Sequence, residues 1–135
     1  LLEAMMKVHQ YVMMSAPTAA QYAGVAALDQ GEAFVAEMVA EYDRRRRLIV
    51  DGFRAVGLRT FEPRGAFYAF PDISVTGLDS VTFSERLLAE ERVAVIPGNA
   101  FGARGEGYVR ACYASSYESI ERALERIGRF VQRVR

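Results

Sequence analysis

The hydrophobic period of the chain changes once, at Gly57, and that change limits the folds open to it. Before Gly57 the apolar residues recur at helical spacing. Val35, Val39, Tyr42, Ile49, Phe53 and Val56 follow a 4,3 pattern that Arg46 alone interrupts, which predicts one helix over residues 32–56. At 1.5 Å per residue it would be roughly 35 Å long, more than a small domain needs. Gly57 ends it. Beyond Gly57 the apolar runs shorten and alternate, with glycine and proline between them. Residues 58–61 and 66–70 read as strands on either side of an Arg64-Gly65 turn, the second ended by Pro71. Residues 93–96 and 108–113 read as two further strands.

Helices punctuate these strands. Gly77-Leu78-Asp79-Ser80 opens one, with Phe83, Leu87 and Leu88 expected to face a core. Ser115 and Glu118 have capping-box spacing and precede Ile120, Leu124, Ile127, Val131 and Val134, the apolar stripe of a final amphipathic helix. The order after Gly57 is therefore strand, strand, helix, strand, strand, helix. It predicts an α/β chain whose C-terminal part is an α+β-type small domain, with helices packed on one face of a small, mostly antiparallel sheet.

Upstream, residues 1–14 read as a helix that is apolar around most of its circumference, with only Glu3, Lys7 and Gln10 as a polar strip. Such a helix needs cover on several sides. His9 lies among its apolar residues and reads as a packed or interface histidine. Ser15-Ala16-Pro17-Thr18 breaks the helix, because proline disfavours helical geometry in the residue before it. Thr18 and Gln21 have capping-box spacing, so a second helix should run to about Leu28. The expected division is 1–30 as interface helices, 31–57 as a long connecting helix and 58–135 as the small domain.

Composition excludes several classes of function. The 135 residues carry 17 basic and 17 acidic side chains, so there is no bulk charge to attract nucleic acid or an anionic membrane. The longest apolar runs are too short to span a bilayer as a helix. One cysteine, Cys112, allows no internal disulfide and no multi-cysteine metal site. All but one of the basic residues are arginines, and Lys7 is the only side-chain amine. The run Arg44–Arg47 sits in the long helix and points in every direction, as on a solvated or interface face.

Chemistry concentrates in residues 93–114. Pro97-Gly98 closes one strand, a loop carrying Gly102, Gly105 and Gly107 follows, and the next strand carries Arg110 between apolar neighbours. Residues in a strand alternate faces, so Tyr108, Arg110 and Cys112 share one side and Val109, Ala111 and Tyr113 the other. A guanidinium there is expensive to bury without an anionic partner. That partner is either an internal glutamate or aspartate, or the carboxylate of a ligand, which the planar fork suits. Gly105-Glu106-Gly107 precedes a strand and opens no helix, so it is no dinucleotide fingerprint.

Five segments together carry a family resemblance: K-V-H-Q-Y at 7–11, S-A-P-T-A-A-Q-Y at 15–22, G-A-F-Y-A-F-P at 65–71, V-A-V-I-P-G-N-A-F-G at 93–102 and G-E-G-Y-V-R-A-C-Y-A at 105–114. In this order they resemble the C-terminal third of the fold-type I, pyridoxal-phosphate-dependent aminotransferases of class I/II, the aspartate aminotransferase-like group. The resemblance implies transfer of an amino group between an amino acid and a 2-oxo acid, with Arg110 clamping the substrate's α-carboxylate. It implies that Gly65, Phe67, Asn99 and Phe101 line the substrate side of the cleft. It also implies a homodimer, a cytoplasmic location, and pyridoxal phosphate bound mainly by residues upstream. The family's Schiff-base lysine motif does not surround Lys7, so no catalytic residue is expected in this chain, its cofactor contacts stay unassigned, and alone it should be inactive. The last helices of a large cofactor domain are expected at 1–30. Two other readings fit the same residues: another fold-type I enzyme (a decarboxylase, lyase or synthase), or a non-catalytic module that binds a small acid.

Overall fold

The computed structural model describes residues 1–135, which form two compact units, Leu1–Val39 and Ala40–Arg135. The first holds helices α1 (Leu2–Met13) and α2 (Thr18–Gln30) and the start of α3 (Glu32–Ala55). Neither α1 nor α2 has a buried residue. Leu2, Met5, Met6, Val8, Val12 and Met13 are all more than half exposed, so the cover their pattern requires does not come from within this unit. His9 is exposed as well, which removes packing within the chain as its role. The Thr18–Gln21 capping box does not form. Pro17 occupies the N-cap without a side-chain bond, and the Gln21 amide donates to the Ala16 carbonyl at 2.8 Å instead.

No helix is long and apolar enough to cross a membrane. The end of α3 follows its sequence signal closely. Gly57 takes φ 83°, and the N–H groups of Gly57 and Leu58 donate to the carbonyls of Arg54 and Phe53, the paired bonds of a Schellman turn. Arg46, the interruption in the apolar stripe, pairs with Asp43 on the same helix and with Glu62 beyond it. The other three arginines of the run are paired too, Arg44 and Arg45 with Glu41 and Arg47 with Asp43. The run is a salt-bridged surface.

The second unit carries β1 (Tyr68–Ala69), α4 (Ser80–Glu91), β2 (Ile96–Pro97), β3 (Val109–Cys112) and α5 (Tyr117–Val134). The sheet is antiparallel with order β1-β3-β2 and registers Tyr68↔Cys112 and Ile96↔Arg110. Its core joins Ile49, Val50 and Phe53 of α3, Phe83 and Leu87 of α4, Val109 and Ala111 of β3, and Ile120, Ile127, Phe130 and Val131 of α5. The Phe83 and Phe130 rings meet edge to face, 5.2 Å apart.

Three expectations are corrected here. Residues 58–61 form no strand, only a single bridge from Thr60 to Pro71. Proline lacks the N–H a ladder needs, and the Thr60 carbonyl is taken by the Arg54 guanidinium. The strand expected at 93–96 is reduced to Ile96–Pro97. Val93–Val95 leave the ladder, and a cavity of about 110 Å³ is lined by Ala94 and Val95 on this segment and by Ala111 and Cys112 on β3. Leu88 is half exposed rather than in the core. It lies five residues beyond Phe83, a rotation of about 140° round the helix, whereas Leu87 at i+4 stays on the buried face.

Capping fixes both later helices. Asp79 accepts from the N–H groups of Val81 and Thr82 at 3.0 and 2.9 Å and so starts α4. These bonds hold the Asp79 carboxyl below its usual pKa, the Thr82 N–H foremost. For α5 the cap is Ser116, which accepts from Ser119 N–H at 3.2 Å, one residue later than the Ser115–Glu118 spacing suggests.

Candidate functional site

Arg110 occupies the middle of the central strand. Val109 and Ala111 on one face are buried in the core, while Arg110 is half-buried on the other and Cys112 is exposed there, as strand alternation requires. The sheet thus presents Arg110 on the face turned away from the core helices.

Its surroundings are aromatic. Cζ of Arg110 lies 4.2 Å from the centroid of the Tyr68 ring and 4.5 Å from that of Phe101. Tyr68 comes from β1, whose register places it opposite Cys112, beside Arg110 on the same face. Phe101 comes from the 3-10 turn Gly98–Phe101 that follows β2. Phe70, next along the β1 side, meets the Phe101 ring edge-on at 5.7 Å. No carboxylate lies within ion-pair distance of Arg110, and none of its N–H groups has a hydrogen-bond partner, whereas Arg46, Arg59, Arg129 and Arg133 all pair with carboxylates. The internal ion pair, one of the two partners left open by the sequence, is absent.

The loop that carries Phe101 is built on backbone packing. Gly98 donates its N–H to the Tyr108 carbonyl at 2.9 Å. A Cβ on Gly98 would come within 2.0 Å of the Gly105 carbonyl oxygen, and one on Gly105 within 2.0 Å of that of Gly98. Only glycine fits at these two crossing points. Gly98 and Gly105 are thus accounted for by one stretch of backbone crossing another, and Gly102 and Gly107 by their positive φ of 111° and 82°. Glu106 completes the clamp. Its carboxylate accepts from the Ser80 N–H at 2.7 Å, from the Ser80 hydroxyl at 2.9 Å and from the Gly107 N–H at 2.9 Å. The Gly107 and Ser80 N–H bonds hold its pKa below the ordinary carboxylate value. The acceptor sits over the first turn of α4, where the helix dipole favours negative charge.

The residues singled out in the sequence fall in three places. Arg110 and Phe101 touch. Phe67 reaches the pair only through Tyr68, whose ring centroid is 4.8 Å from its own, and also stacks on Tyr42 at 6.0 Å. Asn99 shares the turn of Phe101; its side chain is exposed and makes no hydrogen bond, while its carbonyl accepts from Gly102. Gly65 lines a separate open hollow with Tyr42, Arg46, Glu62 and Tyr113. Sequence reasoning missed Tyr68 and Phe70. Their period-2 spacing on one strand face was visible, but which face of which neighbour they join depends on the β1–β3 register.

Chemically, the arrangement offers a fixed cation with unengaged donors, a site for a planar anion. Residues 1–127 match the family described as "Aminotransferase class I and II". The aspartate aminotransferase of Pyrococcus abyssi is 46% identical over 134 residues, which are 98% of this chain and 34% of that protein. The aromatic-amino-acid aminotransferase 2 of Thermococcus litoralis is 43% identical over 133 residues, 97% of this chain and 34% of that protein. The crystal structure of an aromatic aminotransferase from Pyrococcus horikoshii OT3 superposes with a TM-score of 0.89 at 48% identity, covering 97% of this chain and 36% of that one. The chain thus spans about a third of the length of the relatives it matches.

Proposed function

The chain belongs to the aminotransferase class I and II family, and on that premise we propose that the protein it forms part of moves an amino group between an amino acid and a 2-oxo acid, with Arg110 holding the substrate's α-carboxylate. The observation that carries the reading is the guanidinium of Arg110, placed on the open face of β3 with no internal anion and with its N–H donors unengaged. A bidentate link from two N–H groups to one carboxylate fixes both the position and the plane of the substrate, so that the amine end points in one direction. The named relatives are an aspartate and an aromatic-amino-acid aminotransferase; beside the α-amino group that is transferred, the α-carboxylate is common to both kinds of substrate.

Pyridoxal phosphate is the cofactor the family implies, and its chemistry is that of an electron sink for the substrate's α-carbon. The residues of this chain do not fit it. Lys7, the only lysine, is exposed on α1 beside the apolar side chains of Met5, Met6 and Val8, with no hydrogen-bond partner and no cluster of donors for a phosphate. In this reading the cofactor site belongs to the remaining two thirds of the protein, and residues 1–30 are the end of the domain that holds it. The uncovered apolar surface of α1 and α2 is what an interface with the rest of that domain would leave, and a homodimer as the working form goes with the family reading. A cytoplasmic location goes with the same reading.

Two measurements test this. In the full-length enzyme, Arg110→Lys keeps the charge but loses the fork, and should lower kcat/KM for its amino-acid donor by about 10²- to 10³-fold, the scale of breaking a buried charge pair. An unchanged kcat/KM would remove Arg110 from the substrate site. The isolated 135-residue chain, supplied with pyridoxal phosphate, an amino acid and a 2-oxo acid, should show no turnover.

A further inference from the structure

Arg110 is held in place without using any of its hydrogen-bond donors. Several arginines elsewhere in the unit are fixed through their N–H groups: Arg46 by Asp43 and Glu62, Arg54 by the Thr60 carbonyl, Arg133 by Glu90 and Glu91. Arg110 instead lies against two π-faces, Tyr68 at 4.2 Å and Phe101 at 4.5 Å. A cation over an aromatic ring is attracted by the ring quadrupole, and the contact spends charge and surface, not N–H groups. All five donors of the guanidinium stay available.

The choice of aromatic rings over a carboxylate has a functional consequence. An aspartate or glutamate at the same place would steady Arg110 equally well, but it would occupy the bidentate edge that an incoming carboxylate needs. It would also neutralise the charge that attracts the ligand. The two rings avoid both effects. They are themselves braced, Tyr68 by Phe67 at 4.8 Å and Phe101 edge-on by Phe70 at 5.7 Å. They also arrive from different parts of the chain, Tyr68 on β1 and Phe101 on the turn clamped by Gly98, Gly105 and Glu106.

We infer that Tyr68 and Phe101 are positioning residues that preorganise Arg110 for a carboxylate ligand, holding its guanidinium through their π-faces so that its donors remain free. This rests on the reading of Arg110 as the substrate-carboxylate contact. The rings act on substrate through Arg110, and the aromatic face is the property that matters, so phenylalanine should serve at 68 and tyrosine at 101.

The test uses the full-length enzyme, with the best amino-acid donor from a panel of the twenty common ones. Tyr68→Leu and Phe101→Leu should each raise KM about 3- to 30-fold, the range of a partly desolvated cation–π contact. KM should move more than kcat, as when an interaction common to bound substrate and transition state is removed. Tyr68→Phe and Phe101→Tyr should restore KM. In arginine-labelled enzyme without substrate, the Nε–Hε resonance of Arg110, assigned by its loss in Arg110→Lys, should be ring-current shifted in the wild type and return toward the free-arginine position in both leucine variants. Phe101 is 49% exposed, so its replacement opens no core and a folded sample is available for that position. Leucine variants that leave KM unchanged, a KM rise without movement of the resonance, or a Tyr68→Phe variant as impaired as Tyr68→Leu would each overturn the inference. Loss of kcat/KM in Arg110→Lys with normal ring variants sinks the positioning role alone. An unimpaired Arg110→Lys sinks the carboxylate contact on which it rests.

Discussion

The carboxylate of Glu106 receives both the backbone N–H and the hydroxyl of Ser80, 26 residues earlier in the chain, at 2.7 and 2.9 Å. This one relationship ties the loop that carries Phe101 to the first turn of α4. Replacing Ser80 by alanine removes the hydroxyl bond to a charged acceptor and should destabilise the protein by about 1–2 kcal/mol. The fall should appear as a lower urea midpoint with an unchanged m-value.

Gly98→Ala is expected to cost more than a surface glycine replacement. Its Cβ would meet the Gly105 carbonyl at 2.0 Å and that of Tyr108 at 2.5 Å, both backbone atoms that cannot rotate away. Forced displacement of the loop should cost about 2–3 kcal/mol, the scale of overpacking. The same substitution should raise KM for the amino-acid donor, because Phe101 lies three residues along the same turn. Gly65→Ala, where a Cβ meets nothing within 4 Å, is the control for stability and should show no such cost.

Acid should loosen the surface of α3 in a defined range. The bonds from Arg44, then Arg45, lower the Glu41 pKa from 4.5 to about 2, and Asp43 and Glu62 are lowered by their bonds to Arg46. A depressed carboxylate pKa adds stability above the unfolded value and loses it as pH falls through the folded one. Stability should therefore decline between about pH 4.5 and pH 2, with part of the decline removed in Glu41→Gln and in high salt. Thermal midpoints that stay level across that interval would contradict the assignment.

Phe130→Ala and Leu88→Ala should differ sharply although both residues lie on amphipathic helices. Phe130 is fully buried against Phe83, and its truncation should cost about 3–5 kcal/mol. Leu88 is half exposed and its replacement should stay within about 0.5 kcal/mol. Equal losses in denaturant titrations would place Leu88 in the core after all.

The helices were legible in the sequence because their signals are local. The α3 stripe, its stop at Gly57, the helix opening at Gly77-Leu78-Asp79-Ser80 and the α5 stripe each depend on local sequence signals. Where local signals competed, the error was one of register: Ser116 caps α5 one residue beyond the expected serine, and Gln21 binds a carbonyl where a capping box was spaced. The strands were harder. Pairing of Tyr68 with Cys112 joins positions 44 residues apart, Pro71 leaves Thr60 a single bridge, and the strand patterned at 93–96 keeps only Ile96 in the ladder, with Pro97 beside it.

Arg110 marks the boundary between the two kinds of knowledge. Strand alternation by itself put it on the face opposite Val109 and Ala111, because side chains in a strand alternate whatever surrounds them. Whether it met an internal carboxylate or kept its donors free depended on chain segments beyond its own strand. Only the tertiary structure brought Tyr68 and Phe101 to its guanidinium and left every acidic side chain elsewhere. The physical reason is that a charge in a strand constrains its orientation locally, while its compensation is a property of whatever the sheet register and the loop backbone deliver beside it.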